Sequence, residues 1–290
     1  MASVVLDGAP WAARRKRAEE LKERWPFAAE VLAFYALLLD VQREAYERAC
    51  RELPQPSGVA SYAAAHVVPR VVEVSVASGP PAMSATVLEQ FHDADFETVA
   101  GRWLRGGALT PIERYLARAA TAPVLEALGK SAADACEGPR DERHCPVCGG
   151  LPQVSYFAPS PEDLVTAHRY LECSRCASAW AYPRMTCAAC GESETSRLLV
   201  YSEIGTAQAE ISGSVIKETA GPPPAPPPQT AHFPHVRIDG CESCSHYLLT
   251  IDFERDGRAV PLVDEIGAIP LDLYAKEHGM TKIVPNLMGI

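Results

Sequence analysis

A chain of 290 residues, 47% hydrophobic and 22% charged, has the balance of a folded protein and the length for two or three domains, which excludes fibrous and disordered classes. The formal net charge of -10 is weighted beyond residue 144, where 10 Lys and Arg face 17 Asp and Glu, so that half repels a phosphate backbone and no nucleic-acid partner is expected. No uncharged apolar run reaches the ~18 residues of a membrane span, so no membrane insertion is expected either.

Pro10 suits a first helical turn, and residues 11–24 are rich in helix formers before Pro26 stops them. The basic run Arg14-Arg15-Lys16-Arg17 followed by apolar 27–41 imitates an export signal, but Glu30 and Asp40 interrupt it and no small-residue cleavage site follows. An amphipathic helix is the better reading, and the expected compartment is cytoplasmic. Val31, Phe34, Tyr35, Leu38, Leu39 and Gln42 recur at helical steps, predicting a helix over 27–52 that Pro54 and Pro56 end. Residues 60–67 and 83–104 are further helical candidates, while the β-branched run 71–76 is compatible with a short strand. Thr110-Pro111-Ile112-Glu113 reads as a capping box that opens a helix running to Leu128 and stopping at Gly129. Residues 137–144, charged and containing Gly and Pro, read as a linker.

Helical periodicity is not expected after Cys145. Short β-like runs stand at 154–157, 168–171, 198–201, 236–238 and 247–253, and the proline run at 221–228 predicts an extended loop.

Four Cys-x-x-Cys pairs punctuate this half: Cys145/Cys148, Cys173/Cys176, Cys187/Cys190 and Cys241/Cys244. Two intervening residues let a tight turn aim both sulfurs at one point about 2.3 Å from an ion, and two such turns complete a tetrahedron. Gly149 and Gly191 supply a permissive backbone after the second cysteine of their pairs, and Pro146 pre-sets the first turn. Pairing in sequence order gives one site from Cys145, Cys148, Cys173 and Cys176 and a second from Cys187, Cys190, Cys241 and Cys244, each gap holding a β-hairpin. The competing readings are disulfides or redox pairs, which the absence of an export signal disfavours. Four thiolates leave no open coordination position, so a catalytic metal is not expected.

Cys50 and Cys136 fall outside the pattern; Cys50 is expected as a buried apolar residue and Cys136 as exposed near the linker. His144 and His246 flank cysteines and are expected at the surface. No phosphate-binding Gly-rich loop, Gly-x-Ser-x-Gly elbow or His-Glu-x-x-His is present, so an enzyme is not expected. Metal ribbons often bind nucleic acid, and Arg169, Tyr170, Arg175, Trp180, Tyr182 and Arg184 are the candidates for such a face. A rubredoxin-like redox protein is a further alternative.

Cys145-Pro146-Val147-Cys148-Gly149-Gly150-Leu151-Pro152, then Arg169-Tyr170-Leu171-Glu172 before Cys173, Cys187-Ala188-Ala189-Cys190-Gly191, Cys241-Glu242-Ser243-Cys244 and the tail Val284-Pro285-Asn286-Leu287 together resemble the formate dehydrogenase accessory protein family, FdhE. The resemblance covers 145–290 by motif and the first half by character. It implies an α+β multidomain protein: a helical N-terminal domain (1–140) followed by two tandem rubredoxin-like, zinc-ribbon β modules (141–184 and 185–290). It implies a cytoplasmic chaperone that binds the molybdenum-containing catalytic subunit of respiratory formate dehydrogenase before twin-arginine export. All eight cysteine positions match. The resemblance brings in iron as the ion of both sites, with zinc the substitute in heterologously produced protein, whereas thiolate chemistry alone accepts either. The stretch 206–234 is longer than the compact family hairpin. Neither the oligomeric state nor the client surface is legible.

Overall fold

The computed structural model describes residues 10–159, 167–203 and 231–289. Seven helices form the first half. Helix α1 (Pro10–Arg24) ends before Pro26, and α2 (Ala29–Glu52) buries Phe34, Tyr35, Leu38, Leu39 and Gln42 of the expected stripe, with Leu32 buried in place of half-buried Val31. Leu53 closes α2 in the left-handed region at φ 47°.

Helices α3 (Val59–His66) and α4 (Val68–Ser78) follow. The run 71–76 is therefore helix and not strand. Val68, Val71, Val72 and Ser75 are its buried residues, a three- and four-residue spacing that places one face on the core. That tertiary burial overrides the β-branched preference. The helix expected over 83–104 is two, α5 (Pro81–Asp93) and α6 (Phe96–Leu104), because Asp95 caps the second by accepting from the backbone N–H groups of Glu97 and Thr98. Helix α7 (Pro111–Leu128) opens on the expected capping box, with Glu113 N–H donating to Thr110 Oγ1 and Thr110 N–H to Glu113 Oε2.

Among the described residues beyond Cys145 the chain folds as one seven-stranded sheet in the order β3-β2-β1-β6-β5-β4, with β7 beside β6. Its strands are β1 (Pro152–Ala158), β2 (His168–Cys173), β3 (Ala179–Ala181), β4 (Leu198–Ser202), β5 (Val236–Cys241), β6 (His246–Asp252) and β7 (Thr281–Lys282). Strands β1 to β3 form one antiparallel ribbon and β4 to β6 the other. The two ribbons join by parallel pairing of β1 with β6, Ser155 opposite Thr250. The seam is polar and buried: Ser155 Oγ and Thr250 Oγ1 lie 2.5 Å apart, Thr250 Oγ1 donates to Asp239 Oδ2, and Arg169 Nε donates to Ser155 Oγ. Arg169 also approaches Asp239 at 3.4 Å, which neutralises the guanidinium inside the seam.

Two helices unexpected after Cys145, α8 (Pro261–Gly267) and α9 (Ile269–Glu277), lie between β6 and β7. On α8, Asp264 accepts from Arg17 of α1 while Glu265 accepts from Gln153 of β1, so this short helix fastens both halves. One buried cluster runs from Trp11 and Leu38 through Leu116 and Cys148 to Ile251 and Val263. The proline run at 221–228 and most of the long stretch 206–234 lie outside the described residues.

Candidate metal centres

Each cysteine pair sits on the same backbone turn. Gly149 N–H donates to Cys145 O and Cys145 N–H to Gly150 O; Gly191 N–H donates to Cys187 O and Cys187 N–H to Glu192 O. Ala177 N–H to Cys173 O and Ser245 N–H to Cys241 O repeat the turn in the partner knuckles. The residue after the second cysteine is left-handed in all four, at φ 69° for Gly149, 52° for Ala177, 82° for Gly191 and 55° for Ser245. Two of these are not glycine, so the turn imposes the conformation and the residue type only eases it.

These knuckles bring the cysteines together in the expected sets, Cys145, Cys148, Cys173 and Cys176, then Cys187, Cys190, Cys241 and Cys244. Within each set the sulfurs all lie within 4.8 Å of one another. Sγ separations are 3.6 Å for Cys145 and Cys176, 3.3 Å for Cys148 and Cys173, and 3.8 Å for both Cys187 with Cys244 and Cys190 with Cys241. A tetrahedron with ~2.3 Å metal–sulfur bonds has edges of about 3.8 Å, whereas a disulfide needs about 2.05 Å. All ten cysteines are free, so the disulfide reading falls. The donor sets fit one thiophilic ion each. Peptide N–H groups reinforce the sulfurs, Arg175 N–H donating to Cys173 Sγ and Ala189 N–H to Cys187 Sγ.

The surroundings of the two clusters differ. All four cysteines of the first are buried, while in the second Cys190 is exposed and Cys244 partly so. Sequence reasoning missed the fifth sulfur. Cys136, expected near solvent, is 6% exposed and neighbours the Cys148 sulfur. That neighbour is the largest cause pushing the Cys136 thiol above the usual thiol range and the Cys148 thiol below it. Cys50 is reversed in the other sense: it is exposed, one step round α2 from buried Ala49. His144 Nδ1 donates to Asp141 Oδ1 and His246 Nδ1 to Cys244 O, and both are half-buried outside the sulfur sets.

The residues considered for a nucleic-acid face do not form one. Arg169, Arg175 and Tyr182 are buried, Arg169 in the ribbon seam and Tyr182 donating to Cys187 O. No described helix is long and apolar enough to cross a membrane.

Residues 144–184 match the FdhE central-domain model and residues 227–288 the FdhE C-terminal-domain model. A curated FdhE homolog from Aquifex aeolicus is 31% identical over 148 residues, 51% of this chain and 42% of that protein. One from Pseudomonas aeruginosa is 31% identical over 144 residues, covering 50% and 38% respectively. The aligned segment thus spans less than half the length of these relatives. The crystal structure of the FdhE protein from Pseudomonas aeruginosa covers 97% of this chain and 96% of its own at a TM-score of 0.62 and 22% identity, a likeness of fold along the whole chain.

Proposed function

We propose that the chain, whose residues 144–184 and 227–288 match the FdhE central- and C-terminal-domain models, is a member of that family and a cytoplasmic maturation factor for respiratory formate dehydrogenase, binding the catalytic subunit without turnover. The observation that carries this reading is the pair of closed four-sulfur sets, the first inside the core shared with the helices and the second nearer the surface. Closed sites hold a shape; they offer no position at which a substrate could react.

In this reading Cys145, Cys148, Cys173 and Cys176 hold one ion and Cys187, Cys190, Cys241 and Cys244 the other. Iron is the ion of both sites in the cell, and zinc replaces it in protein made elsewhere. Bound, each ion supplies a cross-link that adds to folding stability. The division into a helical domain (1–140), a first ribbon (141–184) and a second ribbon with its tail (185–290) is supported by the central-domain match, which ends at 184.

The test is co-purification of the tagged full chain with the formate dehydrogenase catalytic subunit, together with formate oxidation in a deletion strain. The subunit is expected in the eluate and formate oxidation is expected to fall. An empty eluate with unimpaired formate oxidation would overturn the reading.

A further inference from the structure

We propose that a cavity between the helical domain and the first cysteine cluster is a binding site for a small monocarboxylate. The cavity has a volume of about 40 Å³ and is bounded by α1, α2, α7, α8 and the Cys173–Cys176 knuckle. A single water needs ~10–15 Å³ on the same measure, so the space takes a molecule of about three or four heavy atoms.

Its charged groups sort into engaged and unengaged. Arg14 spends its contact on both oxygens of Glu126, and Glu265 accepts from Lys282 and Gln153. Arg118 feels the charge of Glu265 but has no carboxylate in contact among the described residues. It is 8% exposed, and among the described residues its one hydrogen bond runs from Nη1 to Pro285 O, which is a dipole and not a counter-charge. A guanidinium carries five N–H donors, so most of the fork remains unspent. Tyr35 lines the same space at 4% exposure, and its hydroxyl makes no hydrogen bond among the described residues. Among the described residues the Arg175 guanidinium, on the far wall, donates only to the backbone carbonyls of Leu104, Glu137 and Cys148, through Nη1. Burial without a contacting carboxylate pulls the Arg118 guanidinium below its usual value.

A carboxylate satisfies this arrangement from both sides. Its two oxygens match the unspent fork of Arg118 and the Tyr35 hydroxyl, a charge-assisted set, while Leu262 and Ile266 give a short apolar body its wall. A dianion such as hydrogen phosphate is disfavoured, because Glu126 and Glu265 already line the space. The competing account is that Arg118 only balances the negative charge of the cluster at Cys173.

The experiment is isothermal titration of the metal-loaded full chain with sodium acetate and sodium formate, with chloride and phosphate at equal ionic strength as controls. Saturable binding of one acetate or formate per chain is expected, with phosphate weaker. Tyr35→Phe removes one charge-assisted bond and should weaken binding about tenfold, and Arg118→Gln by more. Tyr35→Phe costs no existing hydrogen bond, so it decides the matter if Arg118→Gln fails to fold. Heats that never saturate, or binding that survives both substitutions, would overturn the proposal. So would loss of the first cluster's ion in Arg118→Gln with no carboxylate response in the parent chain, which is the charge-balance account.

Discussion

At each knuckle the peptide that follows the second sulfur must turn left-handed, and the four residues placed there differ in what surrounds them. A Cβ added at Gly149 would meet Gly138 C and Pro139 O at 3.0 Å, whereas one at Gly191 meets only Arg143 Cδ at 3.9 Å. Both substitutions to alanine carry the left-handed penalty of about 1–2 kcal/mol. Only Gly149→Ala adds a backbone collision, so it should lower the melting temperature clearly more than Gly191→Ala when both proteins are metal-loaded. Equal losses, or the reverse order, would show that crowding at the linker does not matter. Cys136 makes a second residue-scale prediction. Cys136→Ala leaves four sulfurs in the first cluster but removes the thiol beside Cys148, and loss of such a supporting group weakens metal affinity by roughly 10–100-fold. Competition with a chromophoric chelator should show this at one site only, with two ions per chain still bound at saturation. Gly149 and Gly191 were legible in the sequence because glycine advertises the conformation; Ala177 and Ser245 carry no such mark. Cys50 and Cys136 were misread because their burial depends on which way a helix face turns and on how a linker packs, neither of which two lone cysteines encode.

For elements, local chemistry was most legible where it is self-contained. The Thr110 and Glu113 box was readable because both partners lie within four residues, and all five β-like runs became strands because turn residues bound them. Val71 and Val72 went to a helix, and α8 and α9 were missed, because what holds these segments lies far along the chain. Asp264 on α8 finds Arg17, and Lys282 on β7 finds Glu265 and Asp272. The capping box also carries a pH prediction. The Thr110 backbone N–H, with Arg102 assisting, lowers the Glu113 carboxyl below its ordinary 4.5 in the folded chain. A depressed carboxyl stabilises the fold above its unfolded value and loses that contribution as pH falls through the folded one. Glu113→Gln should therefore be less stable than the parent at pH 6, and the gap should close below about pH 4. The difference between the two proteins at each pH isolates the box from acid release of the ions, which both undergo. A gap that stays constant from pH 6 to pH 3 would assign the loss to packing.

On the scale of the molecule, the two ribbons share one sheet and the helices share their core, yet the clusters face different environments. An ion held by buried Cys145, Cys148, Cys173 and Cys176 is reached only by opening the core, while exposed Cys190 leaves the second within reach of a chelator. Metal release to excess chelator should be biphasic, one ion in each phase, with Cys190→Ser removing the fast phase and Cys148→Ser the slow one. A single phase would mean that both clusters open together. The tie between halves can be tested separately. Arg17, 2% exposed in its side chain, reaches Asp264 at 2.5 Å and Asp256 at 2.9 Å, and His235 Nε2 lies 2.8 Å from the same Asp264 oxygen. Arg17→Met keeps much of the volume but strands a wholly buried carboxylate, a loss of about 3–5 kcal/mol when one partner of such a pair is removed. Since the pair joins α1 to α8, and α8 in turn holds β1 through Glu265, the cost falls on the connection and not on either half alone. Urea unfolding followed by helical circular dichroism and by metal release should coincide in the parent chain. In Arg17→Met the two should separate, the helices melting first while the sulfur clusters keep the ribbons folded, and coincident curves with an unchanged midpoint would show that the shared apolar core, not this ion pair, makes the molecule one unit.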